Sequence, residues 1–218
     1  MSPKELSKAW PLLKRQVKGL HVPWLDSFAS ADRDPFTALV SCLLSLRTKD
    51  KVTGEASERL YSLASDPASI YGLPVKTIEK AIYPVGFYRV KAATIKKLCG
   101  VLVKRYNSKV PDTIEELLKL DGVGRKTANL VVTLGYGKPG ICVDTHVHRI
   151  TNRWGLVSTK NPTETEFRLR ETVPQKYWIA LNGMLVAFGQ GICKPLSPLC
   201  SNCDLNEYCA KVGVVKSR

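Results

Sequence analysis

The chain has 218 residues, enough to bury the core of one or two compact domains. It carries 33 lysines and arginines against 19 acidic residues, a formal net charge of +14. This surplus indicates an anionic partner, nucleic acid ahead of an acidic membrane surface, although solubility alone is an alternative explanation. No segment is apolar over the length of a membrane span, and the N-terminus lacks the apolar core of a signal peptide. We expect a cytoplasmic protein, nucleoid-associated if prokaryotic, without a membrane partner.

Apolar residues recur with the spacing of helices, and few segments alternate with the period of a strand, so an all-α protein is predicted. The segment FTALVSCLLSL, which follows Asp34-Pro35, is apolar nearly all round and predicts a buried central helix. Further helices are predicted over 51–64, 75–83 and 89–106, from Thr113 to Leu120, from Arg125 to Leu134, from Asp144 to Trp154, and over 175–189.

The segment LDGVGRKTANLVV predicts a helix–hairpin–helix. A capping box at residues 113–116 starts its first helix. Gly122 and Gly124 then permit positive φ and leave the backbone open to a phosphate oxygen, in the way that proteins bind a DNA backbone without reading its sequence. A plain turn between packed helices is the alternative for two nearby glycines.

Arg125 and Lys126 lie at the positive end of the second helix, where each cation costs roughly 0.3–1 kcal/mol. A phosphate docked on the first turn would offset that cost. The same position and Arg125 also disfavour the ammonium form of Lys126, and a neutral amine is a nucleophile that could displace a base from C1′ of a deoxyribonucleotide. A lysine that contacts phosphate or solvent is the alternative.

Asp144, in ICVDTHVHR, is the candidate for a second catalytic group. Loss of a base builds positive charge on the sugar, which a carboxylate would stabilise. The chain between Lys126 and Asp144 is long enough to return to the lysine. An N-cap role for Asp144 is the alternative, and the two roles can coexist. His146 and His148 are two positions apart, which favours surface or hydrogen-bonded roles over a metal pair.

Four of the seven cysteines follow the spacing C-x6-C-x2-C-x5-C, at Cys193, Cys200, Cys203 and Cys209. Thiolates this close together can bind Zn²⁺ or a [4Fe–4S] cluster, and spacing decides only weakly between the two. The other three cysteines, Cys42, Cys99 and Cys142, lie in apolar stretches and are predicted to be buried.

The segments LDGVGRKTANLVV and VDTHVHR and the cysteine loop occur in the order and spacing of the endonuclease III family of DNA glycosylases, which the chain resembles from about Pro35 to Cys209. The resemblance implies an all-α helix–hairpin–helix glycosylase fold, with a six-helix barrel domain at 28–138 and a cluster domain at 1–27 and 139–218. It implies DNA in the cleft between the domains and a [4Fe–4S] cluster on the four cysteines. Composition alone places a boundary near the glycine-rich loop at 135–140.

By position, Lys126 matches the family's Schiff-base nucleophile and Asp144 its essential carboxylate. The family removes oxidised pyrimidines from duplex DNA and cuts the strand 3′ to the abasic site by β-elimination. Arg47 stands where the family usually carries a glutamine that fills the space of the extruded base, which leaves the opposite-base preference open. Phe87 matches a second inserting loop, with core packing as its alternative. The other expected DNA contacts are Lys91, Gly122, Val123, Gly124, Arg125 and Thr127.

Two other functions remain open from the sequence. One is a non-catalytic DNA binder in which a zinc ion holds the cysteine loop and Lys126 only contacts phosphate. The other is a monofunctional mismatch glycosylase, although related glycosylases of that kind generally lack a lysine at the position of Lys126. Adenine glycosylases usually append a further domain, for which the C-terminus leaves no room. We expect a monomer that binds duplex DNA containing damaged bases or abasic sites.

Overall fold

A computed structural model describes residues 1–20 and 34–218, and every regular element in this part of the chain is helical. The chain divides into two compact units, one containing residues 34–138 and the other residues 1–20 with 139–218. The resemblance also implies a domain boundary between residues 27 and 28, and this boundary lies outside the described residues. No helix of the described chain has the length and apolarity needed to cross a membrane.

The unit of residues 34–138 consists of short helices packed around one central helix. In chain order its helices are α1 (Pro35–Ser45), α2 (Asp50–Leu63), α3 (Pro67–Gly72), α4 (Val75–Ile82), α5 (Tyr88–Tyr106), α6 (Ile114–Leu117) and α7 (Arg125–Leu130), the last continuing into a π-helical turn, Val131–Gly135. Asp34 caps α1 by accepting hydrogen bonds from the Phe36 and Thr37 amides. Most of α1 is buried, which confirms the predicted central helix.

The second unit contains an N-terminal helix and three helices from the C-terminal part of the chain. They are α8 (Pro3–Val17), α9 (Thr145–Arg153), α10 (Pro162–Thr172) and α11 (Trp178–Gly191), with short 3₁₀ turns at Gln175–Tyr177, Cys200–Asn202 and Asn206–Tyr208. Their apolar faces form a separate core around Trp154 and Phe188. The N-terminal helix α8 is closed by a capping box between Ser2 and Glu5.

The predicted helices are present, with three differences in detail. The helix that Thr113 caps ends at Leu117, not Leu120. The capping box expected there is only half formed, because Thr113 accepts from the Glu116 amide while the Glu116 carboxylate is bonded by Tyr106 and Lys119. The last turn of the helix predicted to end at Leu134 winds as a π-helix, where the Thr133 hydroxyl bonds to the Asn129 carbonyl.

Three helices were not predicted: α3, α8 and α10. All three have a proline in the first turn, and this residue favours both turns and helix starts, so the sequence signal is ambiguous. The three cysteines outside the C-terminal loop are buried, as predicted: Cys42, Cys99 and Cys142. Burial raises the pKa of the Cys99 thiol to about 12, so this thiol is held in its neutral form.

Candidate active site

The hairpin turn, Gly122-Val123-Gly124, needs glycine at only one of its two glycine positions. Gly122 has φ +81°, and a Cβ there would lie 2.9 Å from the Thr94 methyl group, so a side chain is excluded twice. Gly124 has φ −96° and open space where a Cβ would stand. Both glycines permit positive φ, and only Gly122 adopts it.

The helix that follows the turn, α7, starts without a side-chain cap. Its N-cap is Gly124, which has no side chain to accept from the first amides. The first hydrogen bond of the helix runs from the Ala128 amide to the Gly124 carbonyl, 2.9 Å. The amides of Lys126 and Thr127 precede this bond and have no acceptor within the helix, an arrangement that generally favours anions near a helix start.

Lys126 is exposed on this first turn, while the residues directly after it are buried. The backbone of the lysine is held in place because Thr127 and Ala128 pack into the unit, and the Asn129 side chain donates to the Arg125 carbonyl at 3.0 Å. An ion pair between Lys97 and Asp121 fixes the preceding turn to α5. The Lys126 side chain is therefore exposed, while neighbouring residues hold its backbone in place.

Two predicted DNA contacts in the hairpin have buried side chains. Val123 is 7% exposed and Thr127 is 3% exposed. The Val123 amide donates to the Leu120 carbonyl at 3.1 Å. The Thr127 amide, by contrast, lies in the first turn of α7, before the first hydrogen bond of that helix.

Arg47 and Phe87 come from turns 40 positions apart in the sequence and meet at the surface. Both have left-handed backbones, with φ 54° and 59°, and both side chains are exposed. The Arg47 guanidinium lies 5.5 Å from the centre of the Phe87 ring. Phe87 is 61% exposed, so the alternative of core packing for this side chain is wrong.

Lys91 is a predicted DNA contact whose charged side chain is buried, with only 9% of the residue exposed. Its ammonium donates to the Leu44 carbonyl at 2.7 Å, the Leu46 carbonyl at 2.5 Å and the Thr48 hydroxyl at 3.2 Å. Burial lowers the pKa of Lys91 to about 8. Nothing in the sequence separates this lysine from the exposed lysines of the same helix.

Asp144 is the N-cap of α9, as the alternative for this residue predicted. Its Oδ1 accepts from the amides of His146 and Val147, both at 2.9 Å. Among the described residues, no donor is bonded to Oδ2, and the side chain is only half-buried. The cap role therefore leaves one carboxylate oxygen for a further partner.

The two histidines of α9 are hydrogen-bonded, as expected. His146 Nδ1 lies 3.1 Å from Arg149 Nη2, and His148 Nδ1 lies 2.7 Å from the Thr165 hydroxyl. The His148 bond joins α9 to α10, whereas the His146 bond lies within α9.

The four C-terminal cysteines line a single cavity whose remaining walls include the apolar side chains of Trp154, Phe188 and Ile192. Burial raises the pKa of the Cys203 thiol to about 11, and the other three cysteines act in the same direction. Arg153 Nη1 lies 3.5 Å from the sulfur of Cys193, and the Lys211 amide donates to Cys209 at 3.4 Å. The contact between Arg153 and Cys193 was not predicted, because in the sequence Arg153 looks like any arginine of a helix.

Comparisons with known proteins agree with this geometry. The family model described as HhH-GPD superfamily base excision DNA repair protein matches residues 40–175. The endonuclease III of Thermotoga maritima is 46% identical over 178 residues, which cover 82% of this chain and 84% of that protein. The chloroplastic endonuclease III homolog 2 of Arabidopsis thaliana is 41% identical over 94% of this chain, which spans 55% of that longer relative.

A solved structure of a non-covalent endonuclease III–DNA complex has the same fold, with a TM-score of 0.84 and 32% identity over 97% of this chain and 96% of that chain. The identity, the coverage and the family model agree with the motifs at the hairpin and at α9. The chain therefore belongs to the HhH-GPD superfamily of base excision DNA repair proteins and, within it, to the endonuclease III family of DNA glycosylases and AP lyases.

Proposed function

We propose that the chain removes oxidised pyrimidines from duplex DNA and then cuts the strand 3′ to the abasic site, with Lys126 as the nucleophile for both steps. The observation that carries this proposal is the exposed lysine at a helix start without a side-chain cap, beside a glycine turn. With a backbone phosphate bound at this helix start, the Lys126 amine would lie next to the DNA backbone.

The hairpin is proposed to bind the phosphate groups of the DNA backbone. Gly124 leaves room for a phosphate oxygen, and the amides of Lys126 and Thr127 with the positive end of the helix dipole favour its charge. These contacts involve no base edge, so they fix the position of the duplex without reading sequence.

The chemistry starts when Nζ of Lys126 gives up a proton and bonds to C1′ while the N-glycosidic bond breaks. The base leaves with the electron pair of that bond and takes up a proton. The C1′–O4′ bond then opens, O4′ is protonated, and the imine of the ring-opened sugar forms on Nζ. Loss of a proton from C2′ expels the 3′ phosphate, and water hydrolyses the imine to free Lys126.

Asp144 has two tasks in this proposal. Its Oδ1 remains bonded to the first amides of α9, which holds the carboxylate in one orientation. Its Oδ2 stabilises the positive charge that develops on the sugar as the base departs.

Arg47 and Phe87 are proposed to enter the duplex where the damaged base leaves it. Extrusion of a base costs a few kcal/mol of stacking and pairing, which side chains inserted into the gap offset. An exposed phenylalanine beside an arginine suits this task, because the ring replaces stacking and the guanidinium donates to the orphaned base.

The four cysteines are proposed to hold a [4Fe–4S] cluster. The four cysteine side chains line one cavity, and the N–H groups of Arg153 and Lys211 that point at two of the sulfurs suit thiolate ligands of a cluster. A bound cluster would be held by Cys193, Cys200, Cys203 and Cys209 and would tie these parts of the C-terminal loop together. Absorbance near 400 nm that disappears in Cys203→Ser supports the cluster; a colourless protein with stoichiometric zinc contradicts it.

A panel of duplexes that each contain one defined lesion tests the function, with base release and strand scission scored separately. The proposal predicts both products from oxidised pyrimidines and neither from an undamaged duplex. Base release without scission would assign the chain to the monofunctional glycosylases. Binding without either product would assign it to the non-catalytic binders.

A further inference from the structure

The buried ammonium of Lys91 closes the end of another helix. Lys91 lies in the first turn of α5, and the Leu44 and Leu46 carbonyls that it bonds belong to the C-terminal end of α1. The last turn of α1 has no basic residue of its own. Carbonyls at a helix end lack partners and carry the negative end of the dipole, so a cation brought from α5 satisfies both needs.

The three acceptors around Lys91 account for every hydrogen of its ammonium group. An ammonium has three N–H donors, and two carbonyls and the Thr48 hydroxyl take one each. A direct bond from this group to a DNA phosphate would require one of these bonds to break. The contacts therefore favour a role inside the protein over direct contact with DNA.

Thr48 extends the same network to a second turn. Its hydroxyl accepts from the Gly86 amide at 3.2 Å as well as from Lys91. A Cβ at Gly86 would lie 2.5 Å from the Arg47 carbonyl oxygen, so the two backbones are in direct contact. The Arg47 turn (residues 46–48) and the Phe87 turn (residues 84–87) are thus joined through one hydroxyl group.

The other side of the Phe87 turn is held by a separate cation. Arg59, on α2, donates to the Ala81 carbonyl at 2.8 Å and to the Tyr83 carbonyl at 2.5 Å. Arg59 therefore holds the backbone before Phe87, while Lys91 holds the Arg47 turn that contacts it.

Arg47 and Phe87 have left-handed backbone conformations, which explains why their turns need the support of this network. A left-handed conformation costs a residue with a side chain about 1–2 kcal/mol and persists only where the surroundings hold it. Here two such residues stand side by side, and both side chains point out of the protein. Such a conformation at a binding surface is a mark of pre-organisation.

We propose that Lys91 is a positioning residue that holds Arg47 and Phe87 as one rigid pair, so that both side chains enter the DNA duplex together. This inference rests on the proposed function in that it takes damaged duplex DNA as the ligand. Direct binding of a phosphate by Lys91 is the competing explanation.

The test measures insertion and the salt dependence of binding on the same protein variants. The probe is a duplex with a stable tetrahydrofuran abasic analogue and 2-aminopurine next to the gap, whose fluorescence reports unstacking. Lys91→Met removes the donors at nearly constant length, and Thr48→Val removes the bridge while leaving the lysine. Lys104→Met removes an exposed charge from the same helix and is the matched control.

A positioning role predicts that insertion and the single-turnover rate of base release fall about 10- to 100-fold in Lys91→Met. The slope of log Kd against log salt stays unchanged, and Lys104→Met retains full insertion. Thr48→Val shows the same pattern with a smaller loss. In the wild-type background the effects of Arg47→Ala and Phe87→Ala on insertion are coupled, and in the Lys91→Met background they become additive.

A direct phosphate contact predicts the opposite pattern. The salt slope then falls by about 0.9 in Lys91→Met while insertion and the coupling between Arg47 and Phe87 persist. Unchanged insertion in Thr48→Val also overturns the proposal, and this variant decides the matter if Lys91→Met melts below the assay temperature. Insertion by a wild-type protein that releases no base would contradict the proposed function alone and leave this inference standing.

Discussion

The two helix starts that carry the proposed catalytic residues solve the same electrostatic problem in opposite ways. At α7 the N-cap is Gly124, no side chain accepts from the first amides, and two cations stand in the first turn. At α9 the N-cap is Asp144, whose Oδ1 accepts from two amides within its own chain. One start is left open for an external anion, and the other provides its own.

This difference gives the two helix starts different electrostatic properties. The open start of α7 loses stability because each cation there costs roughly 0.3–1 kcal/mol, and it gains a place for a phosphate. The closed start of α9 gains about 1 kcal/mol from its cap and holds the carboxylate in a fixed direction. A helix start with an unfavourable charge and no cap is therefore a stronger sign of a ligand than a helix start that is capped.

The largest expected effect comes from removing Lys126, the proposed nucleophile in the first turn of α7. Lys126→Ala should lower strand scission by at least about 10³-fold, since no other group at this position supplies the imine. The free energy of unfolding should stay within about 0.5 kcal/mol, because the side chain is exposed. Gel assays of scission and urea melts measure the two quantities, with the exposed Lys80→Ala as control. Scission at the wild-type rate would remove Lys126 from the mechanism.

The closed start can be altered so that its cap and its charge are tested separately. Asp144→Asn keeps an oxygen that accepts from the same amides, so stability should change by less than about 1 kcal/mol. Base release should fall about 10²- to 10³-fold, because the negative charge facing the sugar is gone. Asp144→Ala should lose the activity and also about 1 kcal/mol of stability. Equal activity in Asp144→Asn and the wild type would reduce Asp144 to a cap.

A further variant gives α7 a side-chain cap, which α9 already has in Asp144. In Gly124→Ser a hydroxyl can accept from the first amides, and the extended backbone with open space around it accommodates a side chain. We expect stability to rise by a few tenths of a kcal/mol while affinity for duplex DNA falls about threefold or more.

Gly122→Ala is the contrasting variant in the same turn. Its positive φ and the Thr94 methyl group predict a loss of about 1–3 kcal/mol of stability. Thermal melts and fluorescence anisotropy of labelled duplexes separate the two variants. Tighter DNA binding by Gly124→Ser would contradict the open start.

The smallest effect concerns the C-terminal end of α1, which Lys91 closes. Burial lowers the pKa of Lys91 to about 8 from its usual 10.5, so between these values the unfolded chain binds more protons than the folded one. The free energy of unfolding of the wild type, measured relative to Lys91→Met, should therefore rise from about pH 8 to pH 10.5 and stay flat below pH 7. Urea melts of both proteins across this range provide the test, and a flat difference would contradict the burial of the charge.

Features carried by neighbouring residues could be predicted from the sequence. The cap of Asp144, the helix starting at Arg125 and the burial of the α1 segment all follow from patterns within a few positions. The cysteine spacing placed four thiols on one cavity for the same reason. Local propensity and periodicity are properties of the sequence itself.

Features that join distant residues could not be predicted. Lys91 reaches carbonyls 45 and 47 positions away, and Arg153 reaches a cysteine 40 positions away. In the sequence both look like ordinary basic residues of an amphipathic helix. The sequence also did not decide which glycine of the hairpin turn adopts positive φ, because a glycine permits this conformation without requiring it.

The most direct test of the central claim is to reduce the reaction intermediate with borohydride and to map the crosslink by mass spectrometry of peptides. The account predicts one DNA adduct on Nζ of Lys126, absent from Lys126→Ala and formed with abasic as well as damaged duplexes. An adduct on any other side chain, or its persistence in Lys126→Ala, would contradict the account.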